Sequence, residues 1–108
     1  MINNATVAQA TAVVGYDIVQ GVKWRRENYN RRAVGVGLGG SAVVGDCNAE
    51  MFVNGLKVGE FRNLVLGWPS KDYILPCNIP VPRDSLIEMK MTIQPTTNPI
   101  NVIAIFVP

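Results

Sequence analysis

The segment KWRRENYNRR sets Lys23, Arg25, Arg26, Arg31 and Arg32 beside Trp24 and Tyr29. These five cations are half of the ten in the chain. Positive groups neutralise phosphates and ring faces stack on bases, so this composition suits a surface for single-stranded nucleic acid. The plainer reading is a solvated connection between strands, or arginines that pair with acids across a subunit contact. A net charge of +2 and the scatter of the remaining basic residues favour the plainer reading.

Catalytic chemistry finds little support in the residue types. Ser41, Ser70, Ser85, Cys47 and Cys77 carry nucleophilic atoms, but the chain holds no histidine to serve as their base. Asp46 with Glu50, or Asp84 with Glu88, would supply an acid and a base. Each of these carboxylates falls at a turn or on a polar strand face, where solvated charge is ordinary. GVGLGG, residues 35–40, has the spacing of a dinucleotide-binding loop, yet SAVVGDC follows it, so no helix N-terminus faces a pyrophosphate. It reads instead as a Gly-rich strand end that lets a neighbouring backbone approach closely. The spacing of Cys47 and Cys77 matches no zinc pattern; they read as two small buried hydrophobes, and whether they pair is not legible from sequence. We therefore expect no enzyme activity, no cofactor and no metal site.

The scaffold that positions these residues is built from strands. Apolar residues make up 48% and charged residues 17%, with ten glycines and seven prolines breaking the apolar runs. So little charge suggests that part of the surface is covered by something other than water. No segment sustains helical periodicity, and no apolar run reaches the roughly 18 residues of a membrane-spanning helix. The start, MINNATVAQATAVVGY, lacks the pattern of a secretion signal. Residues 1–11 are small and polar and read as an extended arm; residues 12–108 read as one domain. Within that domain, expected strands cover 12–24 (one or two, broken at a glycine), 32–38, 42–44, the hairpin 49–61, 64–66, 73–75, 86–93 and 100–107. About eight short strands at turn spacing predict an all-β, antiparallel β-sandwich.

The hairpin AEMFVNGLKVGEF carries large apolar residues on both sides. Asn54-Gly55 predicts a two-residue turn with Val53 opposite Leu56, Phe52 opposite Lys57 and Met51 opposite Val58. Met51, Val53, Leu56 and Val58 then share one face. Phe52 points the other way, and so does Phe61 unless Gly59 forms a bulge. INVIAIFV, residues 100–107, is apolar on both faces apart from Asn101, which predicts a strand covered on both sides.

From residue 49 onward, AEMFVNGLKVGEF, CNIPVPRDSLIEMKMTI and QPTTNPINVIAIFVP together resemble the small single jelly-roll structural proteins of viruses, including the vertex (penton) proteins of tailless icosahedral bacteriophages. The resemblance implies a jelly-roll-like sandwich that self-associates about a symmetry axis, a place in the virion, and an N-terminal arm that reaches neighbouring subunits. The expected function is thus a non-enzymatic capsid component (vertex, minor capsid or decoration protein). Its expected partners are copies of itself, as a pentamer or trimer, and other capsid proteins. Phe52, Phe61, Trp24, Tyr29 and Trp68 are the expected interface residues, with Lys23, Arg25, Arg26, Arg31 and Arg32 as a basic patch toward nucleic acid or a neighbouring subunit. The alternatives are a single-stranded nucleic-acid-binding module using residues 23–32, and a carbohydrate- or receptor-binding sandwich using Trp24, Trp68 and Tyr73 as stacking platforms. For Trp68, beside Pro69, the favoured reading is a core or turn anchor.

Overall fold

Alternation of apolar and polar residues, punctuated by Gly and Pro, yields seven strands in the computed structural model, which describes residues 3–9, 12–97 and 99–108. They are β1 (Asn3–Gln9), β2 (Arg31–Gly40), β3 (Asn48–Val53), β4 (Leu56–Val65), β5 (Leu75–Val81), β6 (Ile87–Ile93) and β7 (Ile100–Val107), with single turns of 3-10 helix at Lys23–Arg25 and Lys71–Tyr73. In one layer β7 lies between β1 and β2, antiparallel to both, and β5 pairs with β2 on its other side. In the other layer β3 lies between β4 and β6. The layers join where the end of β4 runs parallel to β2, Asn63 beside Leu38 and Val65 beside Gly39. The result is all-β and sandwich-like, a single mixed sheet curled into a half-barrel.

One core fills the curl. Val36 and Leu38 of β2 and Val102, Ala104 and Phe106 of β7 meet Met51 of β3, Phe61 of β4 and Ile87, Met89 and Met91 of β6. The opposite face of β7, Ile103, Ile105 and Val107, is half-buried, so both sides of this central strand are covered to some degree. Pro76 and Pro80 fall on β5, whose only strand neighbour among the described residues is β2, and an edge position tolerates the missing amides.

Several expected elements take another form. Residues 3–9 are extended, as expected of an arm, but they pair along β7 as an edge strand of the chain's own sheet; residues 1, 2, 10 and 11 lie outside the described residues. Segment 12–24 forms no strand ladder. It runs along the outer edge of β6, with Gly15 N donating to Met91 O at 2.7 Å, Met91 N to Tyr16 O at 3.0 Å and Ile18 N to Met89 O at 2.8 Å. Asp17 fixes this run, its Oδ1 accepting from the backbone amides of Val19 (3.1 Å) and Met89 (3.0 Å). Residues 42–44 are a loop, and Lys71–Tyr73 is a 3-10 turn that precedes β5.

The hairpin register matches expectation as far as Phe52–Lys57, then shifts, so that Met51 lies opposite Gly59 and Val58 is the extra residue of a bulge. That one-residue slip turns Phe61 into the core, where it is 6% exposed. Leu56, expected on the buried face, is instead exposed at the tip.

On the face of β2 away from the core, Gly35, Gly37 and Gly39 present no side chains, and segment 67–74 lies directly on them. A Cβ at Gly37 would stand 2.9 Å from Pro69 Cβ and 3.2 Å from Ile74 Cγ1, and one at Gly39 would collide with the Gly67 carbonyl oxygen. The Gly-rich stretch serves close approach of backbone, the reading that sequence favoured over nucleotide binding.

Candidate functional site

The strap formed by residues 66–75 sorts its side chains by direction. Pro69 and Ile74 turn down onto the glycines of β2, and Pro69 is buried. Leu66, Trp68, Tyr73 and Leu75 stay exposed, Trp68 at 48%. Val43 and Val44, also exposed, sit in the loop that follows β2, beside the end of β4 that leads into the strap. Six of the eleven exposed large apolar side chains among the described residues thus lie on the loop after β2 or on the strap, Leu75 at the strap's junction with β5. Scattered apolar residues need no explanation on a surface; a concentration of them on one strap makes it the candidate contact surface.

Asn63 holds the two connections together. It is fully buried on β4; its Oδ1 accepts from the Cys47 amide at 3.1 Å, and its Nδ2 donates to Gly40 O (3.1 Å), Val43 O (2.9 Å) and Asp46 Oδ1 (3.1 Å). Asp46 Oδ2 accepts from Ser41 Oγ at 2.6 Å and from the Thr96 amide at 3.0 Å. Hydrogen bonds from the Ser41 hydroxyl first, then from Thr96, and least from Asn63, stabilise the charged form and lower the Asp46 pKa to about 2, with desolvation partly opposing them. Burial pushes the neighbouring Cys47 thiol up to about 11, and the nearby Asp46 charge adds to this. Cys47 and Cys77 are both free thiols, and the Cys77 Sγ donates to Ala33 O at 3.3 Å. Among the described residues no group of three or more Cys, Asp or Glu side chains is placed to hold a metal ion, and no helix is long and apolar enough to cross a membrane.

The residues singled out from sequence divide. Phe61 is in the core because of the bulge at Val58 and cannot serve as a subunit contact. Phe52 is half-buried on a polar face, with Lys90 Nζ 5.4 Å above its ring and ion pairs Lys57–Glu50 (2.7 Å) and Lys90–Glu88 (3.8 Å) around it. Trp24 is half-buried against Phe106, ring centroids 5.9 Å apart, and its indole N–H donates to Thr6 O at 3.4 Å. Tyr29 is exposed. The basic segment is not one free surface. Arg25 pairs with Asp17 at 2.7 Å, Arg31 is buried, and Arg32 donates to Asn78 Oδ1 at 2.6 Å, which leaves Lys23 and Arg26 exposed without a partner among the described residues.

Sequence offers Trp68 as a contact residue, a core or turn anchor, or a sugar platform, and Tyr73 as a sugar platform; it places Leu66 in a strand that ends one residue earlier and Leu75 in a strand, where it opens β5. The signal that would have found the strap is the coincidence of two features. A strand with glycine at every second position needs a cover, and LGWPSKDYIL is the one apolar connection with a proline to provide it. Comparison with known protein families, with curated proteins and with solved structures finds no match for this chain.

Proposed function

We propose that this chain is a non-enzymatic structural subunit of a virion shell that assembles with copies of itself, as a pentamer or trimer, and with other shell proteins. The observation that carries the reading is the strap: Leu66, Trp68, Tyr73 and Leu75 are exposed on a segment whose backbone is pinned to β2, so they are presented at little further cost in chain entropy. Aromatic and aliphatic anchors of this kind dominate subunit contacts. With a net charge of +2, repulsion between copies is weak. The virion assignment rests on the resemblance of residues 49–108 to small jelly-roll shell proteins.

Light scattering after size-exclusion chromatography tests it. The wild-type chain should show discrete assemblies that grow in population with concentration. Trp68→Ser combined with Leu66→Ser should return the mass to that of the monomer without lowering its thermal midpoint. A wild-type chain that stays monomeric at high concentration overturns the proposal. The same exposed Trp68 and Tyr73 favour carbohydrate binding as a second reading; quenching of Trp68 fluorescence by soluble oligosaccharides, with no change of mass, would put it first.

A further inference from the structure

Arg31 opens β2, and the strand's alternation turns its side chain inward beside Val81 and Phe106. It is 6% exposed, and its guanidinium carbon stands 4.3 Å from the centre of the Phe106 ring, which Trp24 also contacts. The ring face offers some attraction to the cation but no hydrogen-bond acceptor. Among the described residues no carboxylate lies within ion-pair distance of Arg31. Its Nε and Nη2 are buried and have no hydrogen-bond partner. Burial of a full charge with unmade hydrogen bonds is costly, and proteins rarely keep such a group without a use for it.

The two unpartnered atoms are a matched pair. Nε–H and the adjacent Nη2–H form the side edge of the guanidinium, where two parallel donors have the spacing of two oxygens on a carboxylate or phosphate. The ionisable groups whose field reaches Arg31 are Tyr29 and then Glu27, both in the connection ahead of β2, and Glu27 makes no ion pair with it. Desolvation lowers the Arg31 pKa, the direction expected of a cation that lacks a counter-charge in contact.

We propose that Arg31 is an oxyanion-binding site, its side edge receiving the two oxygens of a single carboxylate or phosphate group. That group is either free in solution or an acidic side chain of a second copy, and only the latter source rests on the assembly reading.

Thermal unfolding of the full chain tests this, with chloride exchanged for inorganic phosphate or for acetate at constant ionic strength. Phosphate stabilises proteins generally by exclusion from their surfaces, so the quantity read is the difference between wild type and Arg31→Met. For a free anion, the wild-type midpoint rises with the logarithm of phosphate or acetate concentration beyond a saturation point, and this excess is lost in Arg31→Met. Arg31→Lys keeps the charge but has no side edge, so it should need more anion for the same rise; it also serves if the Met variant does not fold. Glu27→Gln should keep the excess or enlarge it. Trp68→Ser should leave a free-anion response unchanged; for a second copy's acid, the wild-type midpoint ignores small anions but rises with protein concentration, and Arg31→Met removes that rise. Equal responses of wild type, Arg31→Met and Arg31→Lys to both anions and to protein concentration overturn the proposal.

Discussion

The Asn63 side-chain nitrogen donates to Asp46 Oδ1 at 3.1 Å, and through that contact the end of β4 fixes both the loop after β2 and the turn before β7. The loop has its own backbone requirements: Gly40 and Ser41 both adopt positive φ (104° and 68°), which places the Ser41 hydroxyl on Asp46.

Replacement of Asn63 by Leu should therefore be among the most damaging single changes. It strips partners from the buried Cys47 amide and Gly40 carbonyl and from the part-buried Val43 carbonyl, at about 1–3 kcal/mol for each group left unsatisfied. We expect a loss of about 3 kcal/mol or more, read from urea unfolding. A loss under about 1 kcal/mol would mean that the loop finds other partners.

Acid should loosen the same region. The Asp46 pKa is lowered from 3.8 to about 2 in the folded chain, so its contribution is present above the unfolded value and fades as pH falls from about 4 toward 2. The urea midpoint of the wild type should drop across that window. Asp46→Asn should start lower at neutral pH and show a flatter profile between pH 4 and 2. Parallel profiles would assign the acid response to other carboxylates.

Phe61 and Phe52 lie in the same hairpin yet should respond differently. Phe61→Ala leaves a cavity in the core and should cost about 3–5 kcal/mol. Phe52→Ala loses half-buried area and a Lys90 contact on a solvated face, about 1 kcal/mol or less. Chemical unfolding of the two variants separates them, and equal losses would contradict the bulge at Val58.

Glycine-to-alanine changes divide by mechanism. At Gly39 a methyl meets the Gly67 carbonyl, so the variant should lose about 1–3 kcal/mol by overpacking and lift the strap. At Gly45 there is open space but φ is +81°, so about 1–2 kcal/mol of backbone strain is expected with the strap undisturbed. Limited proteolysis between residues 67 and 74 should accelerate in the first variant and not in the second.

Much of the scaffold was legible because one strand states its period plainly and one turn states its type. In β6, Ile87, Met89 and Met91 alternate with Glu88, Lys90 and Thr92, and the first three are fully buried. Asn54-Gly55 turns with φ of 52° and 81°, as a type I′ turn requires. Segment 12–24 misled because Ile18 and Val19 are both buried without a ladder; a side chain distant in sequence from its target, Asp17 capping the Met89 amide, holds them in place. The basic segment misled for a related reason. Spacing alone does not tell an inward Arg31 from an outward Arg32 until the strand is known to begin at residue 31. The strap was missed because glycine records what a position must lack, and its cover is legible only when the Gly-rich strand is set beside LGWPSKDYIL, a stretch distant in sequence.

Residues 67–74 are wedged into a trough of bare backbone, which makes this connection behave unlike an ordinary loop. Loops usually accept extra length, and tags or reporters are commonly inserted in them. One residue added here would shift Pro69 and Ile74 off their glycines and open amide groups of β2 to water. The surface segment that looks most available for grafting is therefore the one least able to take it.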